Sequence, residues 1–284
     1  MKRNNDIACK KELFFEEILN FNRLLKHEHF KLSRMEFYSK ELADNLVSFL
    51  FKYAQFHDIS CQDVVSKYLK FISIYSRHLN EYRMTNKYPF EYKDNLVIDR
   101  VEYDIALIMS TLFSPVRYKI MHNLFLYFQK PIKNLALIGI GAGIGLEIIT
   151  KANPINTKCD AYDINLSPFV AKYFKGSKII ESEFTTQSGG VNTVLAIELL
   201  EHLDDPFAFS KMVYDSLNSQ GRFLCTTATD MPQFDHLYNF KNDKEFESRM
   251  VEIGFEIRTK ESLYHNYIKG PKQARNTWYN FVKI

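Results

Sequence analysis

Residues 134–145 read NLALIGIGAGIG, a short apolar run that leads into glycines at every second position. The run predicts a buried β-strand, and the apolar residues after Gly145 predict a helix. Glycines between a strand and a helix let the backbone pass close to a bound group and direct amide N–H groups at it. The stretch therefore predicts a nucleotide-like ligand at Gly139, Gly141 and Gly143.

Asp163 lies twenty residues after Gly143, at the end of a second apolar run. A carboxylate at this position accepts hydrogen bonds from the two ribose hydroxyls of a bound nucleoside. The competing interpretation is that Asp163 only caps the following segment, residues 165–167. The glycine loop and the carboxylate together predict nucleoside binding.

Short apolar runs alternate with helix-like segments from residue 134 onward, which is the βαβ pattern of a parallel sheet. Two further runs near the end are separated by a loop and predict two more strands. The seven predicted strands cover residues 134–139, 158–163, 178–181, 192–197, 222–227, 255–259 and 277–283.

Residues 1–138 contain no glycine, whereas all ten glycines of the chain lie between Gly139 and Gly270. Glycine serves tight turns and close backbone approaches. Leu42, Leu46 and Phe49 recur at helical spacing, as do other apolar residues of this half. We therefore predict helices joined by short turns that need no glycine.

Composition excludes several classes of protein. The chain is 46% hydrophobic and 25% charged, as ordinary globular proteins are, and no apolar run is long enough for a membrane span. The first residues lack the apolar core of a secretory signal.

Four cysteines lie far apart without a CxxC pair, so we expect reduced thiols and a cytoplasmic protein. A formal charge of +3 is too small to indicate nucleic-acid binding, and we expect neither nucleic acid nor membrane as a partner.

Four segments carry a resemblance to class I S-adenosylmethionine-dependent methyltransferases. They are GIGAG at 139–143, YDIN at 162–165, AIELLEHLDDP at 196–206 and LNSQGRFLCTTA at 217–228, which resembles a helix-turn-strand of the family. The resemblance covers residues from about 130 to 284. It implies an α/β fold, a Rossmann-like doubly wound seven-stranded sheet with its last strand antiparallel, and S-adenosylmethionine as cofactor.

The resemblance divides the chain into two predicted domains. Residues 1–130 are predicted to form an N-terminal all-helical cap, and residues 131–284 the domain that binds S-adenosylmethionine. One position departs from the family pattern: Leu137 stands where members carry an acidic residue two positions before the first glycine. Another group must then hold the methionine end of the ligand.

The predicted cofactor contacts come from five segments. Glu183 and Phe184 lie where family members contact the adenine, and Arg117 is able to grip the carboxylate of the methionine or of an amino-acid substrate. For Arg117 a surface location is the competing interpretation, and for Glu183 the end of the third strand is poorly defined. The residues are Gly139, Gly141, Gly143, Asp163, Ile164, Glu183, Phe184, Glu198, Arg117 and Tyr118.

The catalytic prediction falls on His236 and Tyr238, in the loop after the fifth strand, which borders the substrate in this fold. A histidine with a pKa near neutrality takes a proton from an attacking amine or hydroxyl, although a structural histidine is the common alternative.

Glu198, Glu201 and His202 lie at i, i+3 and i+4, on one face of a helical turn, and with His236 or Asp235 they have the chemistry of a divalent-metal site. Relatives without a metal carry the same segment as a packing and capping element. We predict no metal, and metal binding stays open.

The favoured function is methyl transfer from S-adenosylmethionine to N, O or C of a small metabolite, with the helical cap closing the site. In the alternative, S-adenosylmethionine itself is the substrate of 3-amino-3-carboxypropyl transfer or of a cyclisation that releases methylthioadenosine. A third hypothesis is a nucleoside-binding protein without turnover. A small molecule is the expected partner, and a homodimer is left open.

Overall fold

The structure is a computed structural model that describes residues 2–87, 98–130, 132–152, 159–186, 190–266 and 273–284. In these ranges no helix is long and apolar enough to cross a membrane.

Among the described residues six α-helices precede the sheet, and their ends explain why this half needs no glycine. Ser60 and Asp63 form a reciprocal capping box at the start of one helix. Asp58 and Asn86 end two helices in the left-handed conformation that glycine usually supplies, with φ of 51° and 55°. The helices are α1 (Lys2–Phe21), α2 (Arg23–Leu32), α3 (Lys40–His57), α4 (Cys61–Thr85), α5 (Arg100–Phe113) and α6 (Pro115–Tyr127).

A seven-stranded sheet follows, in the order β3-β2-β1-β4-β5-β7-β6. The strands are β1 (Leu135–Ile138), β2 (Cys159–Asp163), β3 (Lys178–Glu181), β4 (Val191–Ala196), β5 (Leu217–Thr229), β6 (Phe255–Tyr264) and β7 (Arg275–Lys283). The helices between them are α7 (Ile144–Ala152), α8 (Pro168–Tyr173), α9 (Pro206–Ser216) and α10 (Asp243–Ile253). Strand β7 is antiparallel to both of its neighbours, and the other described pairs are parallel. The predicted fold class is confirmed.

The structure has a strand at each of the seven predicted places, but β6 continues to Tyr264 instead of ending at residue 259, and β5 begins earlier than residue 222. Helix α9 ends at Ser216 and β5 starts at Leu217, so no separate turn precedes the strand. The added residues pair irregularly with β4, and Gln220 has φ of 62°. This irregular start takes the place of the turn in the expected helix-turn-strand.

The central strand β1 is buried on both faces, and its residues alternate between two hydrophobic clusters. Leu135 and Leu137 belong to the cluster that contains α3, α5, α6 and α7. Ala136 and Ile138 belong to the cluster on the other face. The helical half therefore shares one core with the sheet. Its division from residues 131–284 as a domain stays a prediction.

We expect the two halves to unfold together, and Phe49 in α3 tests this. Phe49 is fully buried, with its ring 5.4 Å from that of Phe169. Phe49→Ala should lower the free energy of unfolding by about 3–5 kcal/mol. Far-UV circular dichroism reports the helices, and fluorescence of Trp278, the single tryptophan, reports β7.

The two signals should give the same urea midpoint in the wild type, and both should shift in Phe49→Ala. Leu13→Ala is the control, because Leu13 is 53% exposed and its loss should change the stability by less than about 0.5 kcal/mol. Separate midpoints for the two signals would contradict a shared core.

Candidate functional site

A cavity of about 460 Å³ lies at the carboxyl ends of β1, β2, β3 and β4. In a doubly wound sheet this is the edge at which ligands bind. The helical half forms part of the wall: Tyr103, Leu107 and Thr111 follow one another at four-residue spacing along one face of α5. The cavity is thus enclosed between the sheet and the helices.

The glycine loop forms the floor of the cavity. Gly139 and Gly143 have φ of 76° and 90°, a conformation that other residues rarely adopt. A Cβ atom on Gly143 would lie 3.0 Å from the side chains of Val170 and Phe174, and one on Gly139 would lie 3.0 Å from Leu199. Positive φ therefore favours glycine at both positions, and any other residue would also have to displace a neighbouring side chain by a few tenths of an ångström.

Asp163 lies beside this loop at the end of β2. Its Oδ2 accepts a hydrogen bond from the Gly141 amide at 2.8 Å, and its Oδ1 accepts one from the Asn165 amide at 2.9 Å. Asp163 therefore does cap the following segment. Each of its carboxylate oxygens can still accept a second hydrogen bond from a ligand, since each has a second lone pair. Asp163 also lines the cavity.

The predicted adenine contacts Glu183 and Phe184 also line the cavity, as does the predicted cofactor-binding residue Ile164, near the ends of β2 and β3. Ile164 is 74% exposed, and Phe184 is buried with its ring edge-on to Tyr162. An exposed apolar side chain at the rim of a cavity suits a flat apolar ligand.

Arg100, which the sequence analysis did not single out, connects α5 to the loops of the site. Its guanidinium donates to the carbonyl oxygens of Gly141 at 2.9 Å and Asn165 at 2.7 Å. The third contact is with the buried carboxylate of Asp104, which also accepts from the Tyr53 hydroxyl. One arginine thus holds both ligand loops against the helical half.

Arg117 and Glu198 form an ion pair of 3.1 Å on the cavity wall. Glu198 also accepts hydrogen bonds from Thr226 at 2.9 Å and Asn276 at 2.8 Å. Burial raises the pKa of Glu198, but Arg117 and the hydrogen bonds outweigh burial and hold the pKa below its usual value. Glu198 has φ of 53°, a strained conformation of the kind that occurs at functional sites.

Three predicted residues do not line the cavity: Gly143, Tyr118 and Tyr238. Tyr118 is buried between helices, where its hydroxyl donates to the Ser39 carbonyl at 2.6 Å and its ring stacks on Tyr38. Tyr238 packs its ring against Phe207 and Phe240. The cofactor role of Tyr118 and the catalytic role of Tyr238 have no support in this geometry.

His236 does line the cavity, in the loop after β5. The Glu201 carbonyl accepts hydrogen bonds from the amides of Leu237 and Tyr238, which holds the loop over the end of β4. Burial lowers the pKa of His236 to about 4, so the ring is neutral at neutral pH and accepts a proton only weakly. Its role as a general base stays a prediction.

The sequence analysis missed three residues of the candidate site, namely Tyr103, Thr226 and Asn276. The Tyr103 hydroxyl donates to Asp235 at 2.7 Å, and the other two hold Glu198. The four-residue spacing along α5 was a usable signal for Tyr103. Asn276 offered none, because its place depends on the pairing of β7 with β5.

The chain resembles known proteins in its fold alone. No protein-family model matches the chain, and no curated protein matches it. Solved S-adenosylmethionine-dependent methyltransferases resemble it, among them the N-methyltransferase NodS from Bradyrhizobium japonicum WM9 in complex with S-adenosyl-L-homocysteine. That structure is 14% identical, with a TM-score of 0.47 over 74% of this chain and 98% of that one.

Two further structures resemble the chain to a similar degree. The 1,6-didemethyltoxoflavin-N1-methyltransferase of Burkholderia thailandensis is 14% identical, with a TM-score of 0.47 over 67% of this chain and 92% of that one. An S-adenosylmethionine-dependent methyltransferase from Clostridium acetobutylicum ATCC 824 is 12% identical, with a TM-score of 0.48 over 63% and 97%. The fold assignment itself rests on the strand order and directions given above.

The Arg117–Glu198 pair should contribute to stability in a way that a double-mutant cycle detects. Arg117→Met leaves the Glu198 carboxylate without its cation and should lower the free energy of unfolding by about 3 kcal/mol. Adding Glu198→Gln should restore part of that loss, because the uncompensated charge is then removed.

Lys119→Met on the same helix is the control. Lys119 pairs with the exposed Glu261 at 3.7 Å, so its loss should cost less than about 1 kcal/mol. Additive losses from the Arg117 and Glu198 substitutions in urea unfolding would contradict a coupled pair.

Proposed function

We propose that the chain binds S-adenosylmethionine in the cavity and transfers its methyl group to N, O or C of a small acceptor. The observation that carries the proposal is the position of Asp163, which lies on the cavity wall beside a glycine loop in positive-φ conformation. Such a loop brings amide groups close to a ligand, and such a carboxylate binds a ribose.

The residues present fit the parts of this cofactor. Asp163 would accept hydrogen bonds from the ribose hydroxyls with its remaining lone pairs, and Ile164 and Phe184 offer apolar surface for the adenine. The methionine end carries a carboxylate and an amine. Arg117 and Glu198 are the oppositely charged groups on the cavity wall that match these two.

The apolar Leu137 supports this assignment. Leu137 is buried in the cluster beneath the glycine loop and brings no charge to the ligand. The ion pair on the cavity wall then takes over the part that an acidic residue at position 137 plays in the family pattern.

The chain's own part in catalysis is alignment and exclusion of water. When bound, the cofactor supplies a methyl group that its sulfonium already activates. Tyr103, Leu107 and Thr111 of α5 cover the cavity from the helical side, which excludes water and holds the acceptor near the methyl carbon. A volume of about 460 Å³ is within the range of small-molecule sites.

A second candidate uses the same ligand as the substrate. In it, an amine attacks the γ-carbon of the methionine part, the bond from that carbon to sulfur breaks, and methylthioadenosine leaves. The Arg117–Glu198 pair favours this candidate as well. Contacts with this pair would hold the methionine end in a different position from the one that an acidic residue at 137 would give it.

Asp163→Asn should weaken the binding of S-adenosylhomocysteine by roughly 2–4 kcal/mol, because one amide oxygen replaces two charged acceptors. Calorimetry measures the dissociation constant. Asp160→Asn is the matched control on the same strand, where Asp160 pairs with Lys178 at the surface. Equal affinities of Asp163→Asn and the wild type would place the ribose elsewhere.

Product analysis separates the candidate reactions. Incubation with S-adenosylmethionine and pooled small metabolites should give S-adenosylhomocysteine, read by mass spectrometry. Methylthioadenosine as the enzyme-dependent product would favour the second candidate. Tight binding with neither product would contradict both and leave a nucleoside-binding protein.

A further inference from the structure

We propose that Glu201, His202 and His236 bind one first-row divalent metal ion, Mn²⁺ or Zn²⁺, at the edge of the cavity. One possible ligand atom from each of the three side chains lies within 4.8 Å of the other two. Glu201 and His202 come from the turn after β4, and His236 comes from the loop after β5. The fold thus brings together three groups from two segments of chain.

The two histidines are oriented as metal-binding histidines are. Nδ1 of His202 lies 2.8 Å from the Asp235 carbonyl oxygen, and Nδ1 of His236 lies 2.7 Å from the Met231 carbonyl oxygen. A carbonyl oxygen only accepts, so each Nδ1 carries the proton and each Nε2 keeps a lone pair. Carbonyl contacts of this kind set the tautomer and ring orientation of metal ligands.

Glu201 is a buried carboxylate that lacks a cation of its own. Its side chain is 1% exposed, and its Oε2 accepts no hydrogen bond from the described residues. A buried anionic oxygen without a partner is costly. The two neighbouring carboxylates already have partners. Arg117 donates a hydrogen bond to Glu198, and the Tyr103 hydroxyl donates one to Asp235. A metal ion between Glu201 and the imidazoles would supply the missing positive charge.

The three ligand atoms indicate which ions fit the site and which way its open coordination positions face. Two imidazole nitrogens and one carboxylate oxygen suit zinc and manganese, and three protein ligands leave positions open. Glu198 does not belong to this group of three, and its charge is already paired with Arg117. His202 and His236 line the cavity, so the open positions face it.

The metal site also indicates which class of acceptor the protein methylates, and this step rests on the proposed function. A metal ion with open positions toward the cavity binds an oxygen donor, such as a hydroxyl or carboxylate of the acceptor. We therefore expect acceptors that carry such an oxygen next to the atom to be methylated.

The test uses the full chain without a histidine tag, freed of metal by a chelator. Titration with Mn²⁺ alone, followed by electron paramagnetic resonance, should show one bound ion per chain. Pulsed measurements on the bound Mn²⁺ should show nitrogen couplings from imidazoles. Absence of a stoichiometric ion, or a bound ion without nitrogen couplings, would overturn the proposal and leave a proton as the counter-charge of Glu201.

Variants locate the ion. Glu201→Gln, His202→Gln and His236→Gln should each weaken Mn²⁺ binding by about tenfold or more. Glu247→Gln and His122→Gln remove a carboxylate and an imidazole outside the cavity and should bind as the wild type does. Unchanged affinity in all three site variants would overturn the proposal. The couplings of the wild-type protein decide the matter if a site variant does not fold.

The metal proposal and the proposed function fail separately, because the titration contains no nucleoside. If the protein binds S-adenosylhomocysteine but takes up no Mn²⁺ in the titration, the metal site alone is overturned. A bound metal without nucleoside binding would confirm the ion and overturn the methyl-transfer proposal.

Discussion

The contact on which the site depends is the one that Arg100 makes with the carbonyl oxygens of Gly141 and Asn165. These carbonyls belong to the loops after β1 and β2, which in an open sheet would face solvent. The guanidinium is held in turn by Asp104, a buried carboxylate of α5. Because Arg carries its charge at any physiological pH, the contact does not depend on protonation. The cavity exists as an enclosed space because this helix lies against both loops.

Much of the fold could be predicted because the central strands β1 and β4 are buried almost throughout. The strands are short runs of apolar residues, and such runs stand out between amphipathic helices. The beginning of β5 could not be predicted, since residues 218–220 are polar and the strand pairs irregularly with β4 there. The pattern that ends a helix and the pattern that opens a strand overlap there without a turn between them.

The site was predicted where chemistry follows chain order and missed where it depends on packing. Asp163 and the glycines belong to one βαβ unit, so their spacing along the chain determines their distance in space. Arg117 and Tyr118 are neighbours in sequence, but successive helical residues point about 100° apart. When Arg117 faces the cavity, Tyr118 faces the helical core. Asn276 reaches Glu198 across a strand pairing that no local pattern reveals.

Glu198 shows what the protein gives up at this position. A residue with a side chain in the left-handed region costs on the order of 1 kcal/mol or more relative to glycine. Glycine would relieve that strain, yet it would remove the carboxylate that faces Arg117 across the cavity wall. The position therefore trades conformational stability for a charge at a defined point. Glycine would also leave the Arg117 guanidinium without its counter-charge, so a variant selected for thermal stability would be expected to keep Glu198 together with its strain.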